Sequence, residues 1–346
     1  MRPRPAAPAV LLAALALLLP GCTQTGTTPE PPGQAAPDFD GDAAYAFVEG
    51  LVTEEDGSPR YRIPGAQGQA SGAAWLWARM DLDGWSRHFH NVTGEAYQAQ
   101  DAPYVERYTR DGACPDEDAE AVEGLAFHNL WARHDVPGTD RTLLLAAHWD
   151  SKEDADGGGP VLGANDGASG VGLLLQLMRH VSAGDLEAPV DLVVAFFDGE
   201  DGFEDCHPLA GSIAFAADEP AGPVGRMLLL DMVGDPDARF VREGRSVQSD
   251  PELVDLLWRH GRALGGQEQF TDTHKTVLDD HVPFVESGVP AVDLIDFGRT
   301  DGRSGFPPYW HTPDDTLENI DAEMLALVGD TVWATMTDPT FVENWP

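Results

Sequence analysis

Short apolar runs alternate along the chain with segments in which apolar residues recur every three to four positions. The runs predict strands at residues 127–132, 143–147, 191–197, 227–230 and 291–295. Continuous apolar runs of this length are typical of parallel strands that are buried on both faces of a sheet. The Pro137-Gly138 pair between the first two runs predicts a turn that joins them as neighbouring strands.

The segments with helical periodicity predict helices at 169–181, 251–264 and 322–336, and a helical region at 43–80 around a turn at 61–65. Within 169–181, the spacing places Val171, Leu174, Leu175 and Met178 on the buried side. Helices that alternate with buried strands favour an α/β fold. We therefore expect a three-layer sandwich with a central mixed, mostly parallel sheet flanked by helices.

The N-terminus has the pattern of a signal peptide. Arg2 and Arg4 precede an apolar stretch at 9–19 that is too short to span a bilayer comfortably, and the following Leu-Pro-Gly-Cys22 resembles a bacterial lipobox. We expect a signal peptide at 1–21, a flexible lipoprotein tether at 22–40 and a single domain at 41–346. A lipid on Cys22 would anchor the exported protein to a bacterial membrane, whether outer-membrane, periplasmic or cell-surface. An ordinary secretory signal cut near Cys22 is the alternative.

Composition narrows the range of partners. The chain carries 59 acidic and 21 basic residues, a formal net charge of -38, and two lysines, Lys152 and Lys275. So acidic a surface repels nucleic acid, which excludes it as a partner. A salty habitat and a codon usage that favours Asp and Arg both account for this charge. Cys114 and Cys206 could pair in an exported compartment, or remain two unrelated thiols.

Acidic and histidine residues follow the ends of the predicted strands. They are His148, Asp150, Asp166, Glu200, Asp201, Asp231, Asp279, Asp280, His281 and His311. Since the carboxyl ends of parallel strands meet at one edge of a sheet, we expect these side chains to lie close together. Carboxylates and imidazoles in one place form a metal site that suits zinc.

A metal-dependent hydrolase needs three to five ligands and one carboxylate that is free to move protons. The ligands could come from His148, Asp166, Asp201, Asp231 and His311. Glu200 would be the free acid/base, because neighbouring residues on an extended stretch point in opposite directions.

Four motifs resemble those of the zinc aminopeptidase superfamily, and in particular its animal-type glutaminyl-peptide cyclotransferase branch. His-Tyr-Asp-Ser-Lys of that branch is similar to the residues His148-Trp-Asp-Ser-Lys152 here, and Phe-Phe-Asp-Gly-Glu-Glu is similar to Phe196-Phe-Asp-Gly-Glu-Asp201. Asp-Asp-His-Ile-Pro-Phe resembles Asp279-Asp-His-Val-Pro-Phe284, and Trp-His-Thr-x-Asp-Asp resembles Trp310-His-Thr-Pro-Asp-Asp315. The likeness runs from about Tyr61 to the C-terminus.

The resemblance implies a zinc-exopeptidase-like fold and an acyltransferase that converts the N-terminal glutamine of peptides or proteins to pyroglutamate with release of ammonia. It implies one zinc ion on Asp166, Asp201 and His311, with Trp310 against the substrate. Glu200 would be the acid/base, and Asp231 and Asp279 would complete a proton network.

A zinc aminopeptidase with two co-catalytic metal ions is the alternative, with His148 and Asp231 as further ligands. Asp279 and Trp310 favour the cyclase, because the aminopeptidases usually have Ser at the first position and seldom Trp at the second. Asp201 in place of Glu, and residues 204–207 where the cyclases place a Trp, depart from the cyclase pattern. A non-enzymatic binding lipoprotein is disfavoured, because neither Glu200 nor any metal ligand is lost.

Charge counting separates the two reactions. Two zinc ions against Asp166, Asp201 and Asp231 leave a positive surplus that favours a bridging hydroxide. One zinc ion on Asp166, Asp201 and His311 leaves Asp231 beside Glu200 and Asp279. Three carboxylates that close must share at least one proton, which suits proton transfer between an amine and departing ammonia.

Overall fold

A computed structural model describes residues 38–94, 124–153, 158–201, 209–302 and 304–346. The predicted signal peptide, Cys22, most of the tether, Cys114, Cys206 and the departure at 204–207 lie outside the described residues. The predictions on them stay predictions.

Strands and helices are numbered over these residues in chain order. The strands are β1 (Ser86–Thr93), β2 (Ala126–His134), β3 (Thr142–His148), β4 (Asp191–Phe197), β5 (Arg226–Asp231), β6 (Phe240–Glu243), β7 (Phe270–Lys275) and β8 (Ala291–Ile295). The helices are α1 (Gly41–Val52), α2 (Gln67–Arg79), α3 (Ala168–Ala183), α4 (Ala210–Asp218), α5 (Gly244–Ser249), α6 (Pro251–Ala263), α7 (His281–Ser287), α8 (Ala322–Thr337) and α9 (Pro339–Glu343), with a 3-10 turn at Leu317–Asn319.

The central sheet has the order β1-β2-β4-β3-β5-β8. Strands β3, β4, β5 and β8 run parallel, whereas β2 is antiparallel to both β1 and β4. The prediction that residues 127–132 and 143–147 form neighbouring strands is therefore wrong, since β4 lies between them. The turn pattern shows where the chain leaves β2 but not which strand β2 pairs with.

The register brings the carboxyl ends of the parallel strands to one edge. His148 ends β3 opposite Phe197 of β4, and Asp231 ends β5 opposite Ile295 of β8. The loops that carry chemistry start from these positions, as the strand-end pattern predicts.

Both faces of the sheet are covered, which confirms the three-layer α/β sandwich. Leu143 and Leu145 of β3 belong to the larger core, which includes residues of α1, α3 and α8, while Leu144 packs on the other face with Phe215 and Phe284. Burial on two faces explains why β3 reads as a continuous apolar run.

Helix α3 is buried on more of its surface than its predicted apolar side. Val171, Leu174, Leu175 and Met178 are buried, and so are Leu173 and Leu177. The reason is close packing against α1: a Cβ at Gly172 would lie 2.6 Å from Val48 Cγ2.

Part of the acidic excess caps helices. Asp40, Asp250, Asp321 and Asp338 precede α1, α6, α8 and α9, and each accepts a backbone N–H from the first turn. Such caps satisfy N–H groups that the helix leaves unpaired. None of the helices in the described ranges is both long and apolar enough to cross a membrane.

Candidate metal centre and its cavity

A cavity of about 210 Å³ opens at the carboxyl edge of the sheet. One side, which we call the carboxylate floor, consists of Asp166, Glu200, Asp201, Asp231 and Asp279. The other side, which we call the aromatic wall, consists of Phe306 and Trp310 with Phe297 packed behind them. The predicted acid/base, the predicted carboxylate ligands and the predicted substrate contact therefore line one cavity, together with His311.

Three of the predicted ligands, Asp166, Asp201 and His311, lie close together, and His311 contacts both carboxylates. His311 Nε2 lies 2.9 Å from Asp201 Oδ1 and 3.5 Å from Asp166 Oδ2. The Asp166 oxygen is buried and has no hydrogen-bond partner within the described structure. A buried carboxylate oxygen without a partner, beside an imidazole and a second carboxylate, fits the nitrogen and oxygen donor set of zinc.

His148 lies on the opposite side of Asp166. Its Nε2 is 3.0 Å from Asp166 Oδ1 and 3.4 Å from Asp231 Oδ1, and its Nδ1 is 3.3 Å from Asp150 Oδ1. Burial alone would lower the pKa of His148, but the contacts with these three carboxylates outweigh it and raise the pKa well above its usual value. Asp166 thus presents one oxygen to His148 and the other to His311, so donors for one or two metal ions are present.

Glu200 belongs to the same cluster of donor atoms. One ligand atom each from His148, Asp166, Glu200 and Asp201 lies within 4.8 Å of the others. Asp150 sets the backbone of the acidic pair, because its two oxygens accept the N–H groups of Glu200 (3.1 Å) and Asp201 (3.2 Å).

Three of the floor carboxyl groups have a raised pKa and so hold protons more tightly than free carboxylates: Glu200, Asp231 and Asp279. Burial, followed by the charges of Asp201 and Asp279, raises the pKa of Glu200 well above its usual value against the opposing charge of His148. Burial and the charge of Asp279 raise the pKa of Asp231 in the same way, and burial also raises the pKa of Asp279. Asp201 behaves oppositely: burial would raise its pKa, but the charge and hydrogen bond of His311 hold it far below the usual value.

The loop that carries Asp166 is held by two residues without a predicted role. Asp315, in the Trp310 motif, accepts the N–H groups of Asn165 (2.9 Å) and Asp166 (3.1 Å). Arg62, which is fully buried, donates to the carbonyls of Trp149 and Gly163 at 2.6 and 2.9 Å. The only sequence signal for Arg62 is a single charged residue inside the turn at 61–65.

The aromatic wall is a stack of rings that ends on His311. Phe306 and Trp310 lie 4.0 Å apart and 9° from parallel, and Trp310 stacks on His311 at 3.8 Å. Phe297 packs behind Phe306 at 4.4 Å. The wall therefore packs against a metal-ligand candidate and lines the cavity with apolar rings.

Both lysines of the chain lie beside this cavity. Lys152 lines the cavity and donates to the backbone carbonyl of Asp201 at 3.0 Å. The charge of Lys152 also helps to lower the pKa of the Asp201 side chain. The amine of Lys275 lies 4.8 Å from the ring centre of Phe297. Positive charge is thus placed at the edges of the floor and the wall.

Asp280 and His281 stand behind Asp279. The N–H of Asp280 donates to Asp279 Oδ1 (2.6 Å), and Ser212 Oγ donates to Asp280 Oδ1 (2.5 Å). His281 contacts Glu243 and Asp293, two buried residues that sequence reasoning missed. The signal for Asp293 was present, since it is a lone carboxylate in an otherwise apolar strand.

Comparison with known protein families identifies the family of this chain. The family model described as Peptidase family M28 matches residues 129–336, more than half of the chain. The chain therefore belongs to peptidase family M28.

Among curated proteins, the glutaminyl-peptide cyclotransferase-like protein of Bos taurus is 32% identical over 227 residues, which are 58% of this chain and 57% of that protein. The chain thus spans less than two thirds of the length of this relative. Among solved structures, Tannerella forsythia glutaminyl cyclase has a TM-score of 0.72 at 30% identity and covers 87% of this chain and 99% of its own. A Zn-dependent exopeptidase from Parabacteroides distasonis has a TM-score of 0.71 at 27% identity, with 88% and 100% covered.

Proposed function

We propose that this M28-family chain is a zinc-dependent glutaminyl-peptide cyclotransferase, which converts the N-terminal glutamine of peptides or proteins to pyroglutamate and releases ammonia. The observation that carries the proposal is the floor itself. Glu200, Asp231 and Asp279 line one cavity, and each has a raised pKa, so the site holds a shared proton beside the metal-ligand candidates. Relatives and solved structures named as glutaminyl cyclases support the same activity.

We assign the zinc ligands to Asp166, Asp201 and His311. The contacts of His311 with both carboxylates, and the unpartnered oxygen of Asp166, fit that ion. A zinc ion bound there supplies a Lewis acid that polarises the γ-carbonyl of the substrate glutamine. Asp150, Asp315 and Arg62 keep the ligand loops in place for this task.

Glu200 moves the proton. The substrate α-amine attacks the γ-amide carbon, so that a new C–N bond forms and the bond to the amide nitrogen breaks. Glu200 takes a proton from the attacking amine and returns it to the departing ammonia, and no water is consumed. Asp231 and Asp279 hold the surplus proton of the floor, which keeps three neighbouring carboxyl groups from being ionised together.

The aromatic wall positions the substrate. Trp310 lies flat between Phe306 and His311, which cover its two faces, so the edge of its ring borders the space above the floor. Packing of the glutamine against this surface brings its amine and its γ-carbon into reach of each other, and such pre-orientation accelerates a cyclisation.

The direct test incubates purified protein with a Gln-Xaa peptide and measures products by mass and ammonia by a coupled assay. A loss of ammonia with the peptide bond intact supports the proposal, and one zinc ion per chain supports the ligand set. Release of free glutamine would refute it.

A zinc aminopeptidase is the second candidate, and one observation favours it. Asp166 faces His148 with one oxygen and His311 with the other, which is the arrangement that a bridging carboxylate needs for two metal ions. Cleavage of Leu- and Ala-peptides by protein that holds two zinc ions would support this candidate instead.

We further propose that the protein is exported and anchored to a bacterial membrane by a lipid on Cys22. The lipobox-like Leu-Pro-Gly-Cys22 after a charged and apolar leader supports this. Cys22→Ser should release soluble protein or leave an unprocessed precursor. Unchanged localisation and electrophoretic mobility would contradict the anchor.

A further inference from the structure

Three buried titratable side chains lie behind Asp279 and have no part in the mechanism so far. They are Asp293 in the centre of β8, His281 at the start of α7 and Glu243 at the end of β6. One ligand atom each from Asp279, His281 and Asp293 lies within 4.8 Å of the others. The side chains of Glu243, His281 and Asp293 are 0% exposed. A connected set of buried groups therefore leads from the floor into the interior.

Glu243 is the charged end of this set. Its Oε2 accepts the N–H (2.7 Å) and the hydroxyl (2.8 Å) of Ser246, and its Oε1 accepts the N–H of Val277 (3.4 Å). Burial alone would raise the pKa of Glu243, but the contact with His281 and the backbone N–H groups of Ser246 and Arg245 lower it to about 2. Glu243 therefore keeps its negative charge inside the protein.

His281 connects Glu243 to Asp293. Its Nε2 lies 3.2 Å from Glu243 Oε2, at ion-pair distance although not aligned as a hydrogen bond, and its Nδ1 lies 3.7 Å from Asp293 Oδ2. A buried carboxylate is stable only beside a compensating group. The position of the imidazole between the two carboxyl groups meets that need for Glu243 and orients Asp293.

Asp293 lies close to Asp279, with one carboxylate oxygen of each within 4.8 Å of the other. Both oxygens of Asp293 and Oδ2 of Asp279 are buried without a hydrogen-bond partner in the described ranges. Ionised carboxylates only accept hydrogen bonds, so this pair can bond only when one member carries a proton. Burial and the charges of Asp279, Asp231 and Glu243 raise the pKa of Asp293 well above its usual value, and burial raises the pKa of Asp279, so the two carboxyl groups share a proton.

We propose that Glu243 and His281 are positioning residues that hold Asp293 against Asp279 and so fix the side chain of Asp279 at the floor. The inference rests on the proposed function, because Asp279 matters only if the floor moves protons. Ser246 completes the arrangement, since its hydroxyl oxygen also accepts the N–H of Asp293 (3.0 Å). Strand β6, which lies outside the central sheet, thereby supports the active site.

Asp250 provides a matched control. Like Glu243 it is a buried carboxylate that caps a helix and pairs with a base, here through Asp250 Oδ2 and Arg226 Nε at 2.6 Å. Unlike the side chain of Glu243, that of Asp250 has no hydrogen bond or ion pair with Glu243, His281 or Asp293 among the described residues, and only its backbone N–H bonds to the carbonyl of Ser246 (2.8 Å). Asp250→Asn therefore measures what the loss of a buried, charged helix cap does to folding alone.

The experiment compares Glu243→Gln with Asp250→Asn in kcat and KM for a Gln-Xaa peptide, in zinc content and in Tm. Glu243→Gln should lower kcat by about 10- to 100-fold, the usual effect of removing a group that orients a functional side chain. Its KM and zinc content should not change. Asp250→Asn should lower Tm and leave kcat per folded molecule unchanged. An unchanged kcat in Glu243→Gln would overturn the inference.

A double-mutant cycle shows whether Glu243 acts through Asp279. In an Asp279→Asn background, Glu243→Gln should have almost no further effect on kcat, whereas independent residues would multiply their losses. Losses that multiply would overturn the inference. It would also be overturned if the wild-type protein bound a second metal ion that Asp293→Asn lost, because Asp279, His281 and Asp293 would then be metal ligands. If Glu243→Gln does not fold, Asp293→Asn takes its place and should show the same lower kcat with unchanged KM and zinc content. If the wild-type protein releases no ammonia, the proposed function itself fails and the inference fails with it.

Discussion

The carboxylate floor and the aromatic wall face each other across one cavity, yet they are built differently. The floor comes from the end of β5, the loops after β3 and β4, and the segment between β7 and α7, and Asp166, Asp201, Asp231 and Asp279 are buried. The wall comes from the loop after β8, and Phe297, Phe306 and Trp310 are half-buried. Buried positions next to strand ends and helix starts thus carry the groups whose charge matters, while a half-buried loop carries the surface that we propose contacts the substrate. We expect changes in the floor to act on kcat and metal content, and changes in the wall to act on KM.

His311→Ala should have the largest effect, because His311 joins the two sides: it contacts Asp201 and stacks on Trp310. Loss of one of three zinc ligands removes the ion and several kcal/mol of transition-state stabilisation, or at least about 10³-fold in kcat/KM. Zinc analysis and ammonia release measure this. His274→Ala, an exposed histidine in β7, is the control and should keep both. Stoichiometric zinc in His311→Ala would refute the ligand assignment.

Glu200→Gln should reduce kcat by roughly 10² to 10⁴, the range for a positioned acid/base, with zinc content retained. Its neighbour sharpens the test, because Asp201→Asn should lose zinc while Glu200→Gln keeps it. Metal analysis of the two variants beside their kcat values decides the assignment. The reverse pattern would mean that the two residues have exchanged roles.

Trp310→Ala tests the aromatic wall and should act on KM. It removes the ring between Phe306 and His311, and a stacked aromatic contact contributes about 0.5 to 1.5 kcal/mol, up to about tenfold in KM. Zinc content should stay at the wild-type level, and Trp310→Phe should restore most of the KM. A kcat that falls more than KM rises would show that the wall shares in the chemistry.

Asp296→Asn should have the smallest effect on activity and should change stability instead. Asp296 follows β8 at the base of the wall, and burial raises its pKa to about 7, against the opposing N–H of Arg239 and charge of Arg299. The folded state then binds a proton that the unfolded chain releases near pH 4, so Asp296 lowers the free energy of unfolding as pH rises from about 4 to 7. Chemical denaturation of Asp296→Asn should show a flatter pH dependence over that range. An identical slope in both proteins would contradict the shift.

Much of this arrangement could be predicted from the sequence, because buried parallel strands are continuous apolar runs. β4 and β8 begin and end where the runs do. The pairing of the strands could not be predicted, since an apolar run shows burial on two faces but not the neighbour on either edge. For this reason the sequence wrongly predicted that β2 pairs with β3.

The site residues also fall into those that could be predicted from the sequence and those that could not. His148, Glu200 and Asp201 belong to short motifs at or just after strand ends, so their convergence could be predicted. Glu243, Asp293 and Asp315 act across long separations in sequence: Asp315 holds the backbone of Asp166, and Glu243 reaches His281 only in the folded chain. Such contacts depend on how distant segments pack, which residue spacing does not encode.

The placement of the two lysines also makes the protein unusual as a substrate for amine chemistry. Reagents that acylate lysine label most proteins at scattered surface positions, but here the side-chain amines available are Lys152, at the cavity, and Lys275, beside Phe297. A fluorescent acylating dye would therefore attach close to the site, apart from any label on the amino terminus. Protection of Lys152 by a bound peptide would report occupancy without any need for turnover, so inactive variants could be compared with active ones on the same scale.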